Sequence, residues 1–129
     1  MNIPNQLKYT EEHEWISVDG DIVTVGITDF AQSELGELVY VEVDTLGESV
    51  DKGDVFGTVE AVKTTSELFM PVSGEVLEFN TEIDENEGDN PAVINEDPYG
   101  AGWIVKIKMS DSSELENLLD AGAYEEIIA

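Results

Sequence analysis

The sequence predicts a mainly β domain: two antiparallel half-sheets closed into a flattened barrel, with one short internal helix and a helical C-terminus. Three observations carry this reading. Apolar residues alternate with polar ones over short segments, the period of half-buried strands. Pairs such as Asp19-Gly20 and Lys52-Gly53 punctuate those segments as turns. Finally, "GELVYVEV" from Gly36 is echoed by "GEVLEFNT" from Gly74, and each is followed by a Gly-Asp pair, Gly53-Asp54 and Gly88-Asp89. The echo suggests two similar half-sheets related by a pseudo-two-fold.

The elements follow in order. Trp15–Ile27 reads as a hairpin turning at "VDGD", with Val23, Val25 and Ile27 on one face and Ile22, Thr24 and Gly26 on the other. "TDFAQSELG" reads as a helix, with Thr28 as N-cap, Asp29 in the first turn and Gly36 as terminator. Leu38–Val43 is expected as a buried strand, followed by a loop to Lys52-Gly53. Val55–Val62 and Leu68–Val72 form a hairpin, Val76–Phe79 adds a strand, and Trp103–Met109 closes the sheet. A helical segment is expected over about 111–128, because Asp111 and Glu114 have capping-box spacing and Leu115, Leu118 and Leu119 make an apolar stripe.

Length and composition fit one globular domain over residues 1–129, with 41% hydrophobic and 27% charged residues. Thirty acids face five lysines and no arginine, a net charge of −25. That charge repels phosphate backbones and anionic lipid, which argues against nucleic-acid and membrane partners. It favours basic protein surfaces, or else serves solubility or adaptation to a salty cytoplasm. No apolar run is long enough to cross a bilayer, and the N-terminus resembles neither a secretory signal nor a transit peptide, so a cytoplasmic location is expected. The absence of cysteine excludes disulfides, thiolate metal sites and a thiol nucleophile.

Catalytic machinery is hard to assemble from these residues, and none is expected. His13 is the single histidine, and a lone histidine among acids is more often structural than a general base. "DENEGDN" from Asp84 invites a calcium-loop reading but fails on spacing: its glycine is at the fifth position and its twelfth residue is Asn95. It reads as a solvated acidic loop, and no metal site is expected.

Lys63 stands apart, alone between two strand-like segments in "VEAVKTTSELFMPVSGEV". A primary amine on a flexible stem is suited to amide attachment of a carboxylate cofactor. Such a lysine must be exposed, isolated from competing lysines and held on a rigid turn, and a hairpin tip over about 55–72 meets these demands. Exposed turn lysines are also common solvated residues, so the neighbourhood alone leaves both readings open.

The blocks "LKYTEEHEWI", "VGITDFAQSELGELVYVEV", "KGDVFGTVEAVKTTSELFMPVSGEV", "INEDPYGAGWIVKIK" and "ELENLLDAGAYEEII" resemble, in order and nearly end to end, the H protein of the glycine cleavage system. The resemblance implies a barrel-sandwich hybrid of two antiparallel sheets with flanking helices, the lipoyl/biotinyl type. It implies a non-catalytic carrier with lipoic acid in amide linkage to Lys63. The expected partners are the pyridoxal-phosphate-dependent glycine decarboxylase, the tetrahydrofolate-dependent aminomethyltransferase, dihydrolipoyl dehydrogenase and a lipoate-attaching enzyme. The carried unit is an aminomethyl group, taken up at the first enzyme and surrendered at the second. The resemblance also places Glu14 and Glu67 beside the lipoyl site as candidates for docking the loaded arm; Glu67 stands where the family often has Asp.

Alternative classes are a relay protein donating lipoyl groups to other acceptors, or a lipoyl or biotinyl domain of another multienzyme complex. Biotin carriers favour methionines on both sides of the lysine, whereas Val62 and Thr64 flank Lys63.

Overall fold

The computed structural model describes residues 2–129. Among these residues nine strands form two antiparallel sheets that do not close into a continuous barrel. The larger sheet contains β1 (Lys8–Tyr9), β2 (Glu14–Asp19), β3 (Ile22–Ile27), β5 (Ser49–Val50), β8 (Gly74–Phe79) and β9 (Val105–Met109), in spatial order β1-β2-β3-β9-β8-β5. The smaller has β6 (Val55–Ala61) at its centre, flanked by β4 (Leu38–Glu42) and β7 (Thr65–Phe69). Between the sheets lies the main core, which includes Ile16, Val23, Val25, Phe56, Val59, Leu68, Val76 and Ile107. Each such side chain contributes ~1.5–3 kcal/mol by leaving water, and their alternation with exposed residues fixes which face of each strand turns inward.

The β2–β3 hairpin turns as expected at Gly20, whose φ of +66° is the left-handed conformation that glycine tolerates best. Gly26 faces Trp15 across this hairpin, and a Cβ there would lie 2.5 Å from the indole Nε1. The absent side chain lets the indole lie on the sheet and donate to the Pro98 carbonyl at 2.9 Å. Helix α1 (Asp29–Leu35) also follows expectation: the Thr28 hydroxyl accepts from the Ala31 amide, and Gly36 ends the helix at φ +81°. A four-residue helix α2 (Val93–Glu96) packs beside it. Asn95 ties the two together, donating to the Gln32 side chain and the Gly36 carbonyl while accepting from the Leu38 amide.

Five sequence readings are corrected. The strand expected over Leu38–Val43 ends at Glu42 and is buried only at Leu38 and Val41, with Val39 42% exposed and the register shifting between Leu38 and Tyr40. The second hairpin strand is Thr65–Phe69, not Leu68–Val72. Pro71 has no amide to donate to a ladder, so the regular strand stops at Phe69, while Met70 exchanges backbone bonds with Gly53 and Asp54 and Val72 packs into the core. At the C-terminus a single helix is replaced by a 3-10 helix (Ser112–Asn117), an isolated bridge between Leu119 and Tyr9, and α3 (Ala121–Ile128). The capping box does not form either. Asp111 caps Ser113, while the Glu114 carboxylate takes the amide and hydroxyl of Ser73 at 2.7 and 3.0 Å. The echoing segments from Gly36 and Gly74 do fall in different sheets, but these hold three and six strands and are unequal halves.

A second cluster beneath α3 fixes the N-terminal strands. Tyr9 and Tyr124 stack at 4.8 Å, with Leu7, Trp15 and Ala121 around them. The Tyr124 hydroxyl lies 2.9 Å from His13 Nδ1 and 2.7 Å from Thr28 Oγ1. One relay therefore joins the C-terminal helix, the start of β2 and the cap of α1. His13, held at φ +68°, also stacks at an angle against Phe30.

Candidate functional site: the Lys63 hairpin and the cleft below it

The β6–β7 hairpin turns through Val62 and Lys63, both exposed. Across the turn the Ala61 amide donates to the Thr64 carbonyl at 2.7 Å, and the Val62 amide donates to the Glu37 carbonyl at 3.1 Å. The tip is thus fastened both to its own partner strand and to the chain entering β4. These backbone bonds hold the turn and leave the Lys63 side chain exposed to solvent.

Strand β7 leads away from the tip. Thr65, Glu67 and Phe69 share its outward face, whereas Leu68 points into the core. Glu67 is exposed, opposite Thr58 of β6. At the far end of β7 lies an open cleft of about 420 Å³, whose walls include Phe69, Met70, Pro71, Leu118 and Leu119, with Glu14 among its polar groups.

Glu14 occupies the seam between the sheets. It is 2% exposed, and its carboxylate accepts from the Phe69 amide at 2.7 Å and from the Thr10 hydroxyl at 3.2 Å. Burial pushes its pKa up to about 8, outweighing the two donors that favour the ionised form, and the nearby charge of Glu12 adds to the rise. The two sequence-nominated acids are therefore unlike. Glu14 is buried, engaged and inclined to hold a proton, and Glu67 is a solvated carboxylate nearer the tip. Glu67 lies on β7 between Lys63 and the cleft, and Glu14 is among the residues lining the cleft.

Sequence reasoning missed the cleft, because its walls come from the β7 exit, the Thr10–Glu14 turn and the residues just before α3. The signal that could have pointed to it is Pro71, which has no amide to continue the ladder and lines the cleft just past the end of β7. His13 is held by Tyr124 and Phe30, the structural role expected of it.

Two open antiparallel sheets with a lysine fixed at the end of a protruding hairpin define a class, the barrel-sandwich hybrid of lipoyl- and biotinyl-type domains. Comparison with known proteins narrows the class. Residues 7–129 match the family model described as glycine cleavage H-protein. The chain is 53% identical over 128 residues to the glycine cleavage system H protein of Bacteroides thetaiotaomicron, covering 99% of this chain and 98% of that one. It is 52% identical over 128 residues to the protein of the same name from Halalkalibacterium halodurans, covering 99% and 97%. A crystal structure of a glycine cleavage system H protein from Mycobacterium marinum superposes with a TM-score of 0.84 at 42% identity, covering 96% of this chain and 97% of that one. The chain belongs to the glycine cleavage H-protein family.

An amide-linked lipoyl group fits the residues present. Lys63 supplies an exposed amine on a fixed turn, and the cleft combines apolar walls for a sulfur-containing ring with a carboxyl group for a polar cargo.

Proposed function

We propose that this chain is the lipoyl-carrying shuttle of the glycine cleavage system, with lipoic acid in amide linkage to Lys63 Nζ. The observation that carries the proposal is the rigid, exposed presentation of Lys63 in a chain of this family. In attachment, the deprotonated Nζ amine attacks an activated lipoate carboxyl, expels the activating group and loses a second proton to leave a neutral amide. When bound, the lipoyl group supplies a disulfide that accepts an aminomethyl unit and is left as a dithiol after its transfer.

This chain's own residues present, hold and shield. Lys63 and its fastened turn offer the arm to the glycine decarboxylase, the aminomethyltransferase and dihydrolipoyl dehydrogenase in turn. Phe69, Met70, Pro71, Leu118 and Leu119 wall a place where a returning cargo leaves bulk water. Glu14 at the floor, or Glu67 on the approach, accepts a charge-assisted hydrogen bond from an ammonium group carried there. The chain does no chemistry of its own in this scheme.

Intact mass and peptide mapping of protein made with lipoate available test the assignment. One lipoyl mass on the peptide containing Lys63 is expected, and none on Lys63→Arg, whose guanidinium cannot form the amide. A lipoyl group on Lys8, Lys52, Lys106 or Lys108 instead overturns it.

A further inference from the structure

Sheet edges are where a β protein must guard its unpaired amides and carbonyls. Three of the four edge strands here are guarded. β1 and β5 have two residues each, and β1 is further covered where Tyr9 pairs with Leu119. β4 is irregular between Leu38 and Tyr40, and its Leu38 amide is taken by the Asn95 side chain. β7 is five residues long and regular, and it pairs only with β6.

The direction of each β7 amide follows from two bonds. Ala61 bonds Thr64 across the hairpin, so Thr64, Ser66 and Leu68 aim their backbone groups at β6, while Thr65, Glu67 and Phe69 aim theirs away. The Phe69 amide confirms this parity, because it is the one that meets the Glu14 carboxylate. Glu14 thus fills the last outward position, as a fourth strand would, and the positions of Thr65 and Glu67 stay open. Only a 3.5 Å contact from Ser66 Oγ touches the Glu67 carbonyl.

This open edge starts two residues beyond Lys63. No other lysine among the five is so placed: Lys106 and Lys108 lie on β9, paired on both sides, Lys8 is on the covered β1, and Lys52 is in a turn. We propose that the enzyme that acylates Lys63 docks by adding an extended basic segment to the open edge of β7, bonding the backbone of Thr65 and Glu67. Strand addition fixes register through the main chain, so it brings one lysine, and not its competitors, to a set distance from the active site. Exposed Glu60 and Glu67 on the hairpin, in a chain of net charge −25, favour lysine or arginine on the incoming segment. The same charges oppose a second copy of this chain, because its own Glu67 would be brought alongside. The inference rests on Lys63 being the acylated residue.

The test uses full-length unmodified protein with a lipoate–protein ligase, ATP and lipoate. Thr65→Pro removes an outward amide and blocks strand addition without removing a bond to β6, and proline is tolerated at such edge positions. Acylation kcat/KM is expected to fall about tenfold or more in Thr65→Pro and to stay within about twofold in Thr65→Val, which keeps the amide. Residue-resolved amide exchange on Lys63→Arg protein gives a second reading that needs neither proline nor acylation. Thr65 and Glu67 are expected to exchange rapidly in the free protein and at least tenfold more slowly with ligase bound. Wild-type rates in folded Thr65→Pro, unchanged exchange at both amides in the complex, or protection that rises with protein concentration in the absence of ligase each overturn the proposal; the last names a second copy as the occupant. A failure of Lys63 to be the modified residue is read separately, by peptide mass.

Discussion

The Glu14 carboxylate accepts a hydrogen bond from the backbone amide of Phe69 at 2.7 Å, and with it one side chain stitches β2 of the six-stranded sheet to β7, an edge strand of the three-stranded one. This bond buries an acid in the wall of the cleft beyond β7. It gives the fold a titratable seam.

The seam predicts a pH dependence of stability. Folded Glu14 keeps its proton up to about 8, whereas in the unfolded chain it releases it near the ordinary 4.5. Between those values the folded state binds more protons than the unfolded one, so the Glu14 contribution to stability is present at low pH and is lost as pH rises. Glu14→Gln keeps an acceptor for Phe69 and cannot ionise. Relative to that variant, the wild type is expected to lose on the order of a few kcal/mol across this window. Parallel pH–stability curves for the two proteins contradict the buried-acid assignment.

Cargo docking makes a second prediction. In the proposed docking, a neutral amine carried into the cleft takes the proton of Glu14, and the resulting ammonium pairs with the carboxylate. Glu14→Ala is expected to leave lipoylation and loading by the decarboxylase largely intact. Non-enzymatic loss of ammonia and formaldehyde from the isolated loaded protein should speed up. Measured decay as slow as wild type in Glu14→Ala, with faster decay in Glu67→Ala, moves the role to Glu67.

Tyr124→Phe probes the relay that anchors the C-terminal helix. The ring stack on Tyr9 survives, but His13 Nδ1 and the buried Thr28 hydroxyl both lose a partner. A loss of ~1–3 kcal/mol in chemical denaturation is expected. An unchanged midpoint and slope would show that the relay is dispensable.

Charge predicts how partners are found. At −25, association with the proposed partners, the decarboxylase and aminomethyltransferase, is expected to be steered over distances that salt screens beyond ~8 Å at physiological ionic strength. Stopped-flow association rates should fall steeply with added salt while dissociation changes less. Rates that ignore salt leave the acidity as a solubility trait.

Much of this was legible because the deciding interactions are local. The Thr28 cap, the Gly36 stop and the Asp19-Gly20 turn each involve groups a few residues apart, and the structure places them where expected. The β7 register was misread because hydrophobicity alone favoured "LFMPV", while Pro71 and the Met70–Asp54 bond decided otherwise. The apolar period of the C-terminal tail was real, with Leu115 and Leu118 on the main core and Leu119 on the second cluster. Its interruption depends on Tyr9, which no local pattern reveals. Glu14 was nominated by resemblance, but its burial and raised pKa depend on Thr10 and on Phe69 fifty-five residues later.

The pairing of Ile22 with Lys108 has a kinetic meaning. β3 cannot find its neighbour β9 until nearly the whole chain has emerged, whereas β6 and β7 meet across a two-residue turn. Closing so large a loop costs entropy before any contact compensates, which places folding among the slower, nonlocal β topologies, in roughly milliseconds to seconds. During synthesis the Lys63 hairpin can therefore form before the six-stranded sheet exists to carry it. An acylating enzyme that reads strand β7 alone could act on the growing chain, while one that needs the finished sandwich must wait for the last strand.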